Sequence, residues 1–101
     1  MRNLKIWLKK EMGFEAPEKF VPADYELMVD VELIEEVVKD GIDALLENVY
    51  KHAQNTDEMG WVARFTGMKV PARSLSVGDV IEFNGKFYAV DSFGFTEIEN
   101  G

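Results

Sequence analysis

The sequence predicts an α+β domain: a small, mainly antiparallel sheet or partial barrel with one principal helix packed on it. Three observations carry this reading. Asn84-Gly85 stands between runs of β-branched and aromatic residues, and that dipeptide tolerates the positive φ of a tight hairpin turn. Leu4, Ile6 and Leu8, and again Tyr25, Leu27, Val29 and Val31, fall at every second position, the period of a strand with one face in a core. Between them and the hairpin the period becomes helical, with Ile34, Val38, Ile42, Leu45, Leu46, Val49 and Ala53 forming an apolar stripe.

Taken in order, the alternation around Leu4 to Leu8 favours an opening strand, with a helix over 3–12 as the alternative. Gly13 to Pro22 holds two prolines and a glycine and no sustained period, so a loop is expected. The strand from Tyr25 follows. Gly41 interrupts the helical stripe and is placed to split it in two, the second half being the stronger helix. Asn55-Thr56-Asp57 is turn chemistry that ends it. Trp61 to Phe65 reads equally as an aromatic strand or an extended connection, and Pro71 marks a break. Ser76-Val77-Gly78-Asp79 should turn the chain into a strand from Val80 to Phe83. Lys86 to Asp91 should return antiparallel, and Phe93-Gly94-Phe95 should lead into a last strand ending near Ile98.

A chain of 101 residues makes one domain, expected to span 1–101, and buries little more than about 60% of its unfolded surface in one modest core. With no cysteine and a single histidine, His52, neither a disulfide framework nor a Cys-based or His-rich metal site is expected. No apolar run suits a signal peptide or approaches the roughly 20 residues of a membrane span, so a soluble, cytoplasmic protein is expected. The net charge of −8 is segregated: residues 1–20 carry +2, residues 21–60 carry −9 and residues 61–101 carry −1. Such a field repels phosphates and favours a basic partner surface, so nucleic acid is not the expected partner.

Gln54-Asn55-Thr56-Asp57 followed by Trp61, then Arg73-Ser74-x-Ser76-Val77-Gly78-Asp79-Val80, then Tyr88-x-Val90-Asp91-Ser92-x-Gly94-Phe95, form an ordered set of short motifs over roughly 48–98. In these the chain resembles small proteins of phages, plasmids and their bacterial hosts, related to YodL-like domains. The resemblance implies a mobile-element setting. It carries no activity over to individual residues.

Two constellations are candidates for function. Glu32, Glu36, Asp40, Asp43 and Glu47 are spaced by four, four, three and four, which on one continuous helix would align their carboxylates along a face. Successive members would then stand about 5–6 Å apart, the order of phosphate spacing on a nucleic acid strand. The commoner use of such a row is a solvated face opposite the apolar stripe. Arg73, Ser74, Ser76 and Asp79 surround a glycine turn and have the chemistry to grip a phosphate or carboxylate. Their simpler use is internal, with Ser76 and Asp79 satisfying turn amides and Arg73 pairing with Asp79 or Asp91.

His52 with Ser74 or Ser76 and Asp57 or Asp79 supplies the residue types of a hydrolase triad, but no Gly-x-Ser-x-Gly elbow accompanies them. No catalytic residue, metal or cofactor is therefore assigned. The expected function is a non-enzymatic module that binds a basic host protein surface, with inhibition of a nucleic-acid-handling protein by charge mimicry as its sharpest form. The alternative is a small barrel that binds RNA or single-stranded DNA through Arg64, Arg73 and the rings of Trp61, Phe65, Phe83, Phe87, Tyr88, Phe93 and Phe95.

Overall fold

A computed structural model describes residues 2–11, 15–56 and 58–101. Gly13, at the start of the expected loop, and Asp57, in the expected turn, lie outside them. The strands are β1 (Asn3–Lys9), β2 (Lys19–Phe20), β3 (Tyr25–Glu32), β4 (Val80–Phe83), β5 (Lys86–Asp91) and β6 (Gly94–Asn100). Among the described residues, the short α-helices α1 (Glu35–Val38), α2 (Ile42–His52) and α3 (Val62–Thr66) and a 3-10 turn at Pro22–Asp24 complete an α+β fold. The strands form one curled sheet, a half-barrel in the order β2-β6-β5-β4-β1-β3.

The C-terminal half follows the expected hairpins closely. Asn84 and Gly85 take φ of 50° and 82°, the doubly positive turn that matches strand twist, and set Phe83 opposite Lys86. A second hairpin pairs β5 with β6 through Asp91 and Gly94. Less local is β2, a two-residue strand inside the expected loop that runs parallel to the end of β6, with Lys19 beside Glu99 and Phe20 beside Asn100. This one parallel pair makes the sheet mixed. So short a strand leaves no periodic signal in sequence.

β3 departs from simple alternation. Ile6 stands opposite Val29, but Trp7 stands opposite Leu27, so Met28 is an extra residue at a bulge. A one-residue shift exchanges the faces of everything beyond it. Val29 and Val31 accordingly share the face of Ile6 and Leu4. Tyr25 instead turns to the opposite face with Trp7, while Leu27, expected in the core beside it, is exposed at the sheet edge.

The bulge matters because both faces of the sheet are covered. On one, Leu4, Ile6, Leu8, Val29, Ile81, Tyr88 and Val90 pack with Leu45, Leu46 and Val49 of α2, and with Trp61 and Val62 at α3. On the other, Phe20 and Tyr25 pack with Val80, Phe87, Ala89 and Ile98. The rings of Phe20 and Phe87 stack at 4.6 Å between centroids, with Trp7 edge-on to Phe20 at 5.0 Å.

The helical stripe is divided where Gly41 interrupts it. Gly41 has φ 95° and ψ 173°, a conformation nearly confined to glycine, and precedes α2 as its N-cap. Trp61 to Phe65, read from sequence as strand or extended chain, instead enters the five-residue α3, which Gly67 ends at φ 75°. A side chain at Gly41 would meet no atom within 4 Å, so the cost of replacing it is conformational alone. Gly41→Ala should therefore lower unfolding free energy by about 1–3 kcal/mol, measured by urea denaturation, without changing the folded spectrum.

Candidate functional site

The Arg73 to Asp79 turn is assembled around one carboxylate. Asp79 is wholly buried. Arg73 donates to it in a two-pronged pair, Nη1 to Oδ2 at 2.6 Å and Nη2 to Oδ1 at 2.7 Å. The Lys9 amide donates to Oδ1 and the Ser76 amide to Oδ2, each at 2.8 Å. Arg73 also donates to the carbonyls of Lys9 and Ser74 and to the Ser76 hydroxyl, so its two terminal nitrogens are spent inside the protein. Asp79's hydrogen bonds hold the guanidinium above its ordinary pKa against the opposing effect of burial.

Ser74 belongs to a neighbouring network. Its hydroxyl accepts the Asn55 amide at 2.9 Å, while the Asn55 side chain donates to the Ala72 carbonyl and accepts the Trp61 amide. Trp61, fully buried, donates its indole N–H to the Arg73 carbonyl at 2.8 Å. Arg64 donates to the carbonyls of His52, the last residue of α2, and of Gln54 beyond it, and to the Thr56 hydroxyl. Gln54 donates to the carbonyls of Tyr50 and Leu75. The described residues of the first two motifs thus tie the end of α2, α3 and the approach to β4 into one frame.

The five carboxylates read as one helical row occupy several elements. Glu32 ends β3, Glu36 lies in α1, Asp40 in the turn before Gly41, and Asp43 and Glu47 in α2. The expected single face is thus corrected, because Gly41 breaks the helix and the chain at Glu32 is still extended. All five side chains are exposed, and none has a hydrogen-bond or ion-pair partner among the described residues.

The aromatic platform expected on the sheet is mostly core. Trp61, Phe87 and Tyr88 are buried and Phe65 packs against the core, whereas Phe93 is fully exposed at the tip of the β5–β6 hairpin. Arg64 and Arg73, the cations that reading needs, both bind protein carbonyls.

Sequence reasoning missed a groove between α2 and the β5–β6 hairpin. One section, a cavity of about 530 Å³, lies among Asp43, Leu46, Glu47, Tyr88, Phe95 and Glu97. A second, of about 330 Å³, continues past Glu47 and Phe95 to Tyr50 and Asp91. Tyr88 and Glu97 are cross-strand partners, so their side chains rise from one face of the sheet. Burial, then the charges of Glu97 and Asp43, raises the Tyr88 pKa. The Ser92 amide and Thr96 hydroxyl hold the Asp91 carboxyl below its ordinary range. Strand alternation signalled which side chains share this face, but the gap between helix and hairpin is a product of packing.

Asp79→Asn should cost about 3 kcal/mol in urea unfolding, since it leaves the Arg73 cation without its counter-charge in a partly buried site. Tyr25 gives a second test. Its hydroxyl donates to the Gly78 carbonyl at 3.0 Å, and burial, then Asp79 and Asp24, raises its pKa from 10.0 to about 12. The folded state therefore retains a proton that the unfolded chain loses above pH 10. Stability contributed by the neutral Tyr25 phenol should be complete below pH 10 and decline toward pH 12, and Tyr25→Phe should remove that share of the decline from pH-dependent unfolding curves, leaving the share due to Tyr88.

Comparison of the chain with protein-family models, with curated proteins and with solved structures finds no match.

Proposed function

We propose that this chain is a non-enzymatic protein-interaction module that binds a basic partner surface through its acidic side. The observation that carries the reading is the set of five exposed carboxylates, Glu32, Glu36, Asp40, Asp43 and Glu47, none neutralised by another described residue. Surface charge of one sign without internal partners raises the encounter rate with the opposite sign and sets which partner is tolerated. The other polar constellation supports a framework role, because Arg73, Ser76 and Asp79 satisfy one another.

In its sharpest form the reading is inhibition of a phage or mobile-element host's nucleic-acid-handling protein by charge mimicry. Its supports are the −9 carried by residues 21–60 and the resemblance over 48–98. A mimic of this kind works through the summed field of the acidic residues, since the carboxylates do not follow one helical line.

The test is affinity capture from host lysate at low and high salt, using the natural chain and a variant combining Glu36→Gln, Asp40→Asn, Asp43→Asn and Glu47→Gln. A nucleic-acid-handling protein should be retained at low salt, released at high salt and lost with the variant. Retention indifferent to both salt and the variant would overturn the reading. So would direct binding of single-stranded DNA or RNA in a low-salt anisotropy titration.

A further inference from the structure

The groove between α2 and the β5–β6 hairpin combines features that a merely solvated acidic face would not need. Its floor is apolar and aromatic, from Leu46, Tyr88 and Phe95, and its walls carry Asp43, Glu47 and Glu97 against one cation, Lys86. Its two sections, about 530 and 330 Å³, lie in the range of about 300–1,000 Å³ typical of clefts that hold small groups.

Tyr88 supplies the second, independent observation. The residue is only 9% exposed, yet its hydroxyl has no hydrogen-bond partner among the described residues. No fully buried side-chain oxygen or nitrogen among them lacks a partner, so the phenol oxygen is accessible, and the carboxylates whose charge acts on it, Glu97 and Asp43, line the same groove. A tyrosine nine-tenths buried overall, whose hydroxyl stays accessible and has no protein partner, offers the cleft both a donor and an acceptor.

We infer that this groove is a docking site for an arginine side chain carried on a segment of the partner protein. Arginine fits the combination better than lysine. Its flat guanidinium lies against aromatic rings while its forked N–H groups reach carboxylates and the Tyr88 hydroxyl together, and its methylenes cover Leu46. The strongly hydrated ammonium of lysine offers no plane to stack. The rim charge selects a cation over an acidic or neutral segment. Fully exposed at the hairpin tip, Phe93 offers apolar surface near the end of the groove marked by Asp91. This inference rests on the reading of the chain as an acidic interaction module and names the subsite that reading leaves open.

The experiment follows backbone amide shifts of isotope-labelled protein titrated at low salt with an acetylated, amidated Gly-Arg-Gly-Arg-Gly peptide and with its lysine counterpart. The arginine peptide should move the amides around Asp43, Glu47, Tyr88, Phe95 and Glu97, and bind more tightly than the lysine peptide. Tyr88→Phe, which removes one oxygen and keeps the ring, should weaken the arginine peptide about fivefold, the worth of one hydrogen bond. Glu97→Gln, on an exposed side chain that folding does not need, should weaken it similarly. Shifts spread over Glu32, Glu36 and Asp40, with Tyr88→Phe indifferent, would overturn the groove while leaving the acidic surface as the binding element. Absence of any shift would overturn the groove as well, and the lysate capture would then judge the broader reading on its own terms.

Discussion

The Asp79 carboxylate holds together parts of the chain that nothing else brings to one point. It accepts from the Lys9 amide at the end of β1, from the Ser76 amide within its own turn, and from Arg73 through both terminal nitrogens. Its backbone belongs to the same knot: the Asp79 carbonyl accepts the Val90 amide, the Val90 carbonyl accepts the Gly78 amide, and the Gly78 carbonyl accepts the Tyr25 hydroxyl. Strands β1, β3, β4 and β5 are thus referred to one buried charge. Burying an ion pair is a poor way to gain stability and a good way to exclude alternatives, because a half-made pair costs far more than a hydrophobic mismatch. The knot also accounts for the density of polar residues in Arg73 to Asp79 without a ligand.

A sheet covered on both faces must control which side each residue faces, and the bulge at Met28 does so. Before it, Tyr25 completes the aromatic cluster with Phe20; after it, Val29 joins the core under α2. Without the extra residue the two halves of β3 would compete for one face. The same two-sided burial explains why a chain this short uses so many rings internally, and why Phe93 stands apart from them.

Local features were legible in the sequence. Val80 to Phe83, Lys86 to Asp91 and the Asn84-Gly85 turn lie where composition and period put them, and the Arg73–Asp79 pair was among the internal pairings those residue types allow. What depends on distant chain was not legible. The two-residue β2 exists only because β6 offers it an edge, and Trp61 to Phe65 becomes helical because its rings and those of the core decide the packing, overriding an aromatic strand preference. The acidic row is a different case, because the break that divides it was itself legible at Gly41. Its spacing was regular, but regular spacing implies a face only where the helix is continuous, and Gly41 ends that continuity. The groove itself lay beyond the sequence, although strand alternation puts Tyr88 and Glu97 on one face, since the gap is made by how α2 and the β5–β6 hairpin pack.

The position of β3 at the edge of the sheet carries a consequence for self-association. An edge strand of eight residues presents backbone groups that another copy could pair with, and exposed Leu27 would add an apolar inducement. Glu26, Asp30 and Glu32 lie along the same strand, all exposed. Two copies meeting edge to edge would bring these carboxylates together, and like charges across a strand pair are repulsive. The charge along this edge therefore opposes strand pairing between copies, and Glu32 belongs both to this edge and to the acidic set proposed to meet a partner.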